Sequence, residues 1–433
     1  MPLDLDATTP GFDAKFKRLL ASRDAHSQSA DAIAAKIVAD VKKRGDAALV
    51  EYTNRFDRMA IKAADLRVRP AEISAALKAC APATVKALEL AASRIAAYHA
   101  KQHPTDAVWK DKAGLLLGWR WTPIDAVGLY VPGGQAAYPS SVLMNAVPAK
   151  VAGVPRLVVV VPTPDGKLNP LVLAACKIAG VDEIYRVGGA QAVAALAYGT
   201  KTIAAVDKIT GPGNAYVAAA KRLVFGTVGI DLIAGPSEVV VVADGKNDPR
   251  WIAVDLLAQA EHDEAAQSIL ISDDARFIAA VNAAVLNELK THPRRKIAAA
   301  SWRKHGATIR VGKLDDSVAL IDRLAPEHLQ LAVAAPERLA ARVRHVGAIF
   351  LGRFAPEALG DYLAGPNHVL PTSRAARFSS GLGVDAFVKR TTLMGADAAG
   401  LRRLAPAGTA LAEAEGLASH AASIALRAAA KRG

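Results

Sequence analysis

Charged side chains alternate with Ala and Leu at helical spacing through residues 12–105, most regularly from Ala71 to Tyr98, which predicts a helical N-terminal segment. Arg44-Gly45-Asp46 is its first tight turn. The pattern changes near residue 110, where Trp109, Trp119 and Trp121 cluster. From about 122 it becomes strand, turn, helix, repeated. Leu157–Val161 is a continuous, mostly β-branched run ended by Pro162. Asn169-Pro170 offers an N-cap and an N1 proline, and the helix stops at Gly180. Glu183–Val187 is the next strand, followed by Gly188-Gly189 and a helix from Ala190 to Tyr198. A short strand near Val206–Ile209 leads into Gly211-Pro212-Gly213-Asn214.

A second block repeats this logic. Glu238–Val242 reads as a buried strand, Asp248-Pro249 opens a helix to about Asp263, Ser268–Ser272 is a strand and 274–290 a helix. Ala348–Leu351 is a last apolar strand. The expected fold class is α/β, with two Rossmann-like parallel-sheet layers and helical N-terminal and C-terminal segments. The expected division is 1–109, 110–235, 236–375 and 376–433. Ligands in open parallel sheets sit at the carboxyl ends of the strands, so functional loops are expected there.

Composition narrows the class. The 433 residues exceed one ordinary core and are 52% hydrophobic but only 5% aromatic, which suits Ala- and Val-rich helices on parallel sheets. The net charge of +13 raises a nucleic-acid partner. The basic residues are spread along the chain, however, and their densest runs, such as Arg294-Arg295-Lys296, contain no aromatics. A basic solvated surface and no nucleic-acid partner are therefore expected. No apolar run approaches the roughly 20 residues that span a bilayer, and the first residues lack a signal-peptide pattern. Cys80 and Cys176, without CxxC neighbours, read as buried free thiols, which points to the cytoplasm.

Four polar segments interrupt the apolar pattern. Gln259 and His262, three apart on one predicted helix, share a face. Asp361 and His368 lie in a glycine-rich loop after the 348–351 strand. Glu327 and His328 are adjacent, an arrangement suited to acid–base work because their environments can push their pKa values apart. Glu415 and His420 lie in the Ala-rich C-terminal helix. Each segment alone also reads as a cap, a turn or a surface pair. The chain has ten histidines. His26, His99, His103, His292, His305 and His345 have surface-like neighbours, whereas the other four fall in these segments. That partition predicts one shared metal site centred on His262, Asp361 and His420, with redox or hydrolytic chemistry both open. Nitrogen and oxygen donors suit Zn²⁺, and Mn²⁺ or Co²⁺ would also fit. Ser237, after Gly235-Pro236, is a candidate substrate contact. No GxGxxG opens a helix, but the loops at Tyr130–Gly134, Gly188–Gln191 and Gly211–Asn214 could meet a nucleotide-like ligand.

Together these segments closely resemble histidinol dehydrogenase. The matching strings are Gly128-Leu-Tyr-Val-Pro-Gly-Gly134, Val187-Gly-Gly-Ala-Gln191, Gly211-Pro-Gly-Asn-Ala215, Ala234-Gly-Pro-Ser-Glu238, Ala258-Gln-Ala-Glu-His262, Pro326-Glu-His-Leu329, Gly360-Asp-Tyr362, Asn367-His-Val-Leu-Pro-Thr372 and Glu415-Gly-Leu-x-x-His420. The resemblance spans nearly the whole chain. It implies NAD-dependent oxidation of L-histidinol to L-histidine through L-histidinal, ending histidine biosynthesis. It implies one Zn²⁺ per subunit on Gln259, His262, Asp361 and His420. Ser237, His328 and Glu415, with the metal ligands, would contact substrate; Tyr130, Gln191 and Asn214 would contact NAD⁺. Glu327 and His328 would be catalytic. It also implies a homodimer in which the C-terminal segment completes the partner's site. A related amino alcohol or diol substrate stays open, as does the role of His368.

Overall fold

The computed structural model describes residues 2–21, 28–133, 138–233 and 235–430. His26, Gly134 and Ala234, used above, lie outside them. In chain order the strands are β1 (Leu3–Asp6), β2 (Ala107–Lys110), β3 (Leu116–Pro123), β4 (Ala126–Tyr130), β5 (Arg156–Val160), β6 (Glu183–Tyr185) and β7 (Lys208–Thr210). They continue with β8 (Gly229–Ile230), β9 (Glu238–Ala243), β10 (Gln267–Ser272), β11 (Ala307–Arg310), β12 (His328–Ala332), β13 (Ala348–Leu351) and β14 (Val388–Gly395).

Two parallel sheets carry the molecule, as the α/β pattern predicts. The first has the order β6-β5-β4-β7-β8, the second β1-β11-β10-β9-β12-β13. In each, the opening strand of the block (β4 or β9) lies in the interior. The next two strands extend to one side and the following two to the other, so the strand order reverses beside β4 and again beside β9. Both faces of each sheet are covered. Leu157 and Val159 of β5 pack in one core while Val158 and Val160 pack in another. Val240 and Val242 of β9 are likewise separated from Val239 and Val241. This two-sided burial explains the unbroken β-branched runs.

The local start signals act as the sequence suggests. The Asn169 side chain accepts from Leu171 N, and Asp248 accepts from Arg250 N, each at a helix opened by proline. Three features were not legible. β1 joins the far edge of the second sheet beside β11, about 300 residues away in sequence. β14, β3 and β2 form a separate antiparallel sheet. His99 is fully buried rather than at the surface, because it ends the inward face of the Pro82–His99 helix and its Nδ1 meets Ile95 O at 2.8 Å. Of the cysteines, Cys176 is buried and Cys80 half-buried; both are free. Among the described residues, no helix is long and apolar enough to cross a membrane.

Gly211, just after β7, is conformationally obligatory. Its φ is +107°, and a Cβ there would lie 2.1 Å from the Tyr130 carbonyl oxygen. Gly211→Ala should therefore lower unfolding stability by at least about 2 kcal/mol. A denaturant midpoint unchanged from wild type would contradict this close approach.

Candidate active site

The site is built on the amino ends of β9 and β12. Glu238, the first residue of β9, donates its backbone N–H to Glu327 Oε2 at 2.9 Å. Its backbone carbonyl lies 3.0 Å from His328 Nδ1. A carbonyl can only accept, so Nδ1 carries the proton and Nε2 keeps its lone pair. Nε2 is buried without a hydrogen-bond partner. Burial pushes the imidazole down to about 4, against the pull of Asp361. The ring is thus neutral near pH 7 and presents a bare nitrogen.

The short helix Glu357–Tyr362 supplies carboxylates to the same place. Glu357 and Asp361 are four apart and share a face. Glu357 Oε1 lies 3.3 Å from His328 Nδ1. Burial, then the charges of Asp361, Glu327 and Asp255, push its carboxyl well above the ordinary range. Burial also pushes Asp361 up, but the His368 side chain beside it, with His328 and His262 nearby, outweighs this, so its carboxyl sits below the usual value. His368 Nδ1 is 3.6 Å from Asp361 Oδ1. His328, Glu357 and Asp361 offer ligand atoms all within 4.8 Å of one another.

Gln259 and His262 arrive from the Pro249–Ala260 helix, which packs against the Glu357–Tyr362 helix. The helix ends at Ala260, so His262 lies in the turn beyond it rather than on it. Its N–H still reaches back to Gln259 O at 3.2 Å. Gln259 is 1% exposed, yet neither amide atom has a hydrogen-bond partner. One such unsatisfied group costs about 1–3 kcal/mol. A buried, unpartnered amide oxygen on a helix that packs against the Asp361 helix is a donor that fits a metal held by nitrogen and oxygen ligands.

This cluster corrects the expectation that ligands gather at carboxyl strand ends. In the second sheet the site is at the amino edge, because the Pro249–Ala260 helix runs back along the sheet and delivers its C-terminus there. The carboxyl edge of the first sheet is brought to meet it. Asn367 Nδ2 donates to Met144 O, on the helix that follows β4, at 2.6 Å. Tyr362 is within electrostatic reach of Tyr138, at the start of that helix.

The nucleotide-site candidates do lie at that carboxyl edge. Tyr130 ends β4, and its hydroxyl accepts the Gly189 N–H at 3.0 Å. Burial pushes its phenol up to about 12. Gln191, in the first turn of the Gly189–Tyr198 helix, is buried with Oε1 unpartnered. Asn214 caps the Ala215–Val224 helix by accepting from Tyr216 N and Val217 N. Tyr130 and Asn214 thus flank the point where the strand order reverses. Ser237 immediately precedes β9, and its carbonyl accepts the Gln267 N–H.

Glu415 and His420 are not brought in. Both are exposed on a hairpin of two helices, Ala398–Ala414 and Ala418–Ala429, that pack on each other. Leu411 and Leu426 on this hairpin are also exposed. Glu357 and Glu238 went unnoticed in the sequence. The spacing of Glu357 to Asp361 could have revealed the first. Glu238 acts through its backbone N–H and carbonyl, which its side chain does not announce.

Two parallel sheets meeting edge to edge across a buried histidine–carboxylate cluster have the architecture of an α/β enzyme. The sequence profile described as histidinol dehydrogenase matches residues 20–428. A histidinol dehydrogenase of Rhodospirillum rubrum is 63% identical over 428 residues, 99% of each chain. One from Ruegeria pomeroyi is 60% identical over 427 residues, again 99% of each. The crystal structure of histidinol dehydrogenase from Elizabethkingia anophelis superposes with a TM-score of 0.93 at 34% identity, covering 98% of both chains. The chain belongs to the histidinol dehydrogenase family.

Replacing the orphaned amide by an apolar group of similar shape should stabilise the metal-free protein. Gln259→Met is expected to raise its unfolding free energy by about 1–3 kcal/mol. A loss of stability would mean that the amide is satisfied in the folded protein.

Proposed function

We propose that this chain oxidises L-histidinol to L-histidine through bound L-histidinal, using two NAD⁺ and one Zn²⁺ per active site. The observation that carries the reading is the His328–Glu327 pair oriented by the backbone N–H and carbonyl of Glu238, together with the buried, partnerless Gln259 amide. Gln259, His262 and Asp361 would hold the zinc with His420 from a second copy of the chain. When bound, the ion supplies a template for the imidazole and amine nitrogens of histidinol, and NAD⁺ supplies the hydride acceptor.

The protein's own groups then divide the proton work. His328 Nε2 takes the hydroxyl proton, because Nδ1 is committed to the Glu238 carbonyl and burial keeps the ring neutral. Glu327, fixed through Oε2, takes a proton from the water that adds to the aldehyde. His328 serves again in the second oxidation. Ser237 and Glu415 hold the substrate's polar end, and His368 keeps Asp361 ionised. Tyr130, Gln191 and Asn214 receive the dinucleotide where the first sheet's strand order reverses. Keeping the aldehyde in a buried site avoids its release. The exposed hairpin with its bare leucines supports a homodimer in which His420 and Glu415 complete the partner's site. A biosynthetic role in the cytoplasm follows from this reading.

The closeness of His328, Glu357 and Asp361 favours a second ligand set within one chain. It would occupy the base and leave Gln259 unused. Zinc analysis of Glu357→Gln separates the two: retained metal supports the Gln259 set, and loss supports the other.

Two further outcomes test the roles. Glu327→Gln should block acid formation far more than the first hydride transfer in single-turnover experiments; equal loss of both steps would contradict its assignment. His420→Ala and Asp361→Ala proteins should each be inactive, yet recover about a quarter of wild-type activity after statistical subunit exchange. Absence of recovery would place His420 outside the partner's site.

A further inference from the structure

The turn that carries Asn214 is held from behind by a side chain that takes no part in the chemistry above. Lys221 lies in the second half of the Ala215–Val224 helix and is 2% exposed. Its Nζ donates to Gly211 O at 3.1 Å, to Leu232 O at 2.9 Å and to the Asp231 carboxylate. Asp231 in turn accepts the Gly211 N–H at 2.7 Å. The N–H of Asp231 itself donates to Ile209 O, in β7, at 3.2 Å. Both peptide groups flanking Gly211 are therefore fixed by one ion pair, at a residue whose φ of +107° no ordinary side chain would select.

A deep ion pair is a poor stabilising device, since an apolar pair of similar volume often does as well. Its distinctive contribution here is geometric. A single ammonium group gathers three oxygens from two segments: the turn after β7, and the start of the passage from the first sheet to the second. A second cation acting on this region, Lys208, is directed to Ala386 O, and it faces Asp231, Asp385 and Lys221. Asn214 is three residues beyond Gly211, so a displaced Gly211 peptide would re-aim the amide and the helix N-terminus that follow it.

We infer that Lys221 and Asp231 are positioning residues that hold the Gly211–Asn214 turn in the shape that receives the dinucleotide. The inference rests on the proposed NAD⁺ site. The test uses the zinc-loaded full chain and the double variant Lys221→Met/Asp231→Leu, which removes both charges together. NAD⁺ binding is measured by calorimetry, with kcat, KM and thermal melting alongside. The Kd and KM for NAD⁺ should rise at least about tenfold while kcat at saturating NAD⁺ stays within about threefold of wild type. A folded double variant with unchanged NAD⁺ affinity, or one that loses only kcat, overturns the inference. Should the double variant not fold, Asp231→Asn keeps an acceptor for Gly211 N–H but weakens the Lys221 contact. It should shift the NAD⁺ affinity in the same direction, and no shift overturns the inference. Asn214→Ala separates the two levels. If it weakens NAD⁺ binding and the Lys221 and Asp231 variants do not, only this inference fails. If Asn214→Ala also leaves binding unchanged, the cofactor-site reading fails and the inference with it.

Discussion

The backbone of one residue at the start of β9, Glu238, orients both catalytic candidates. The N–H of Glu238 holds Glu327 and its carbonyl holds His328. This double use depends on register. β12 pairs with β9 so that His328 lies beside Val239, which leaves Glu327 and Glu238 together at the amino edge. A one-residue slip would turn His328 to the other face of the sheet. The β-branched core of β9, buried on both faces, makes such a slip costly, so ordinary packing fixes the protonation geometry of the site.

The second constraint is the meeting of the two sheets. Five strands of each follow the same order, with β1 added at the edge of the second, but the sheets are used at opposite edges. The first offers its carboxyl edge, with Tyr130 and Asn214 beside the reversal point. The second offers its amino edge, where the Pro249–Ala260 helix ends and β12 begins. The 363–373 segment joins them, through Asn367 to Met144 O and through Ser373 N, which donates to the Glu238 carboxylate. Hydride transfer needs reacting atoms in near contact, and this edge-to-edge docking sets the proposed dinucleotide site beside the candidate metal cluster.

Much of this was legible in the sequence wherever the signal was local. Asn169-Pro170 and Asp248-Pro249 announce helix starts because the cap and the proline act within one turn. β5, β9 and β10 announce themselves because both faces are buried. β12 is harder to see, since Gln330 interrupts its apolar run and is tolerated only because Nε2 donates to Asp255, on a distant helix, at 2.8 Å. β1 is four residues long and finds its partner across the whole chain. The site residues emerged from a contrast between polar segments and apolar surroundings. That contrast found His328 and Asp361 but not Glu357, whose burial is a tertiary fact. His99 misled for the converse reason: its neighbours in sequence look exposed while its helix face is not. The proposed place of His420 rests on the family resemblance alone, because the folded single chain leaves it exposed.

In the proposed reaction one buried site carries out both oxidations without releasing the aldehyde. The most direct measurement is NADH formed per histidinol consumed by the zinc-loaded enzyme, with an aldehyde trap present in solution. Two NADH per substrate, histidine as the product and nothing trapped is the outcome this account predicts. One NADH per substrate with histidinal captured by the trap would contradict it.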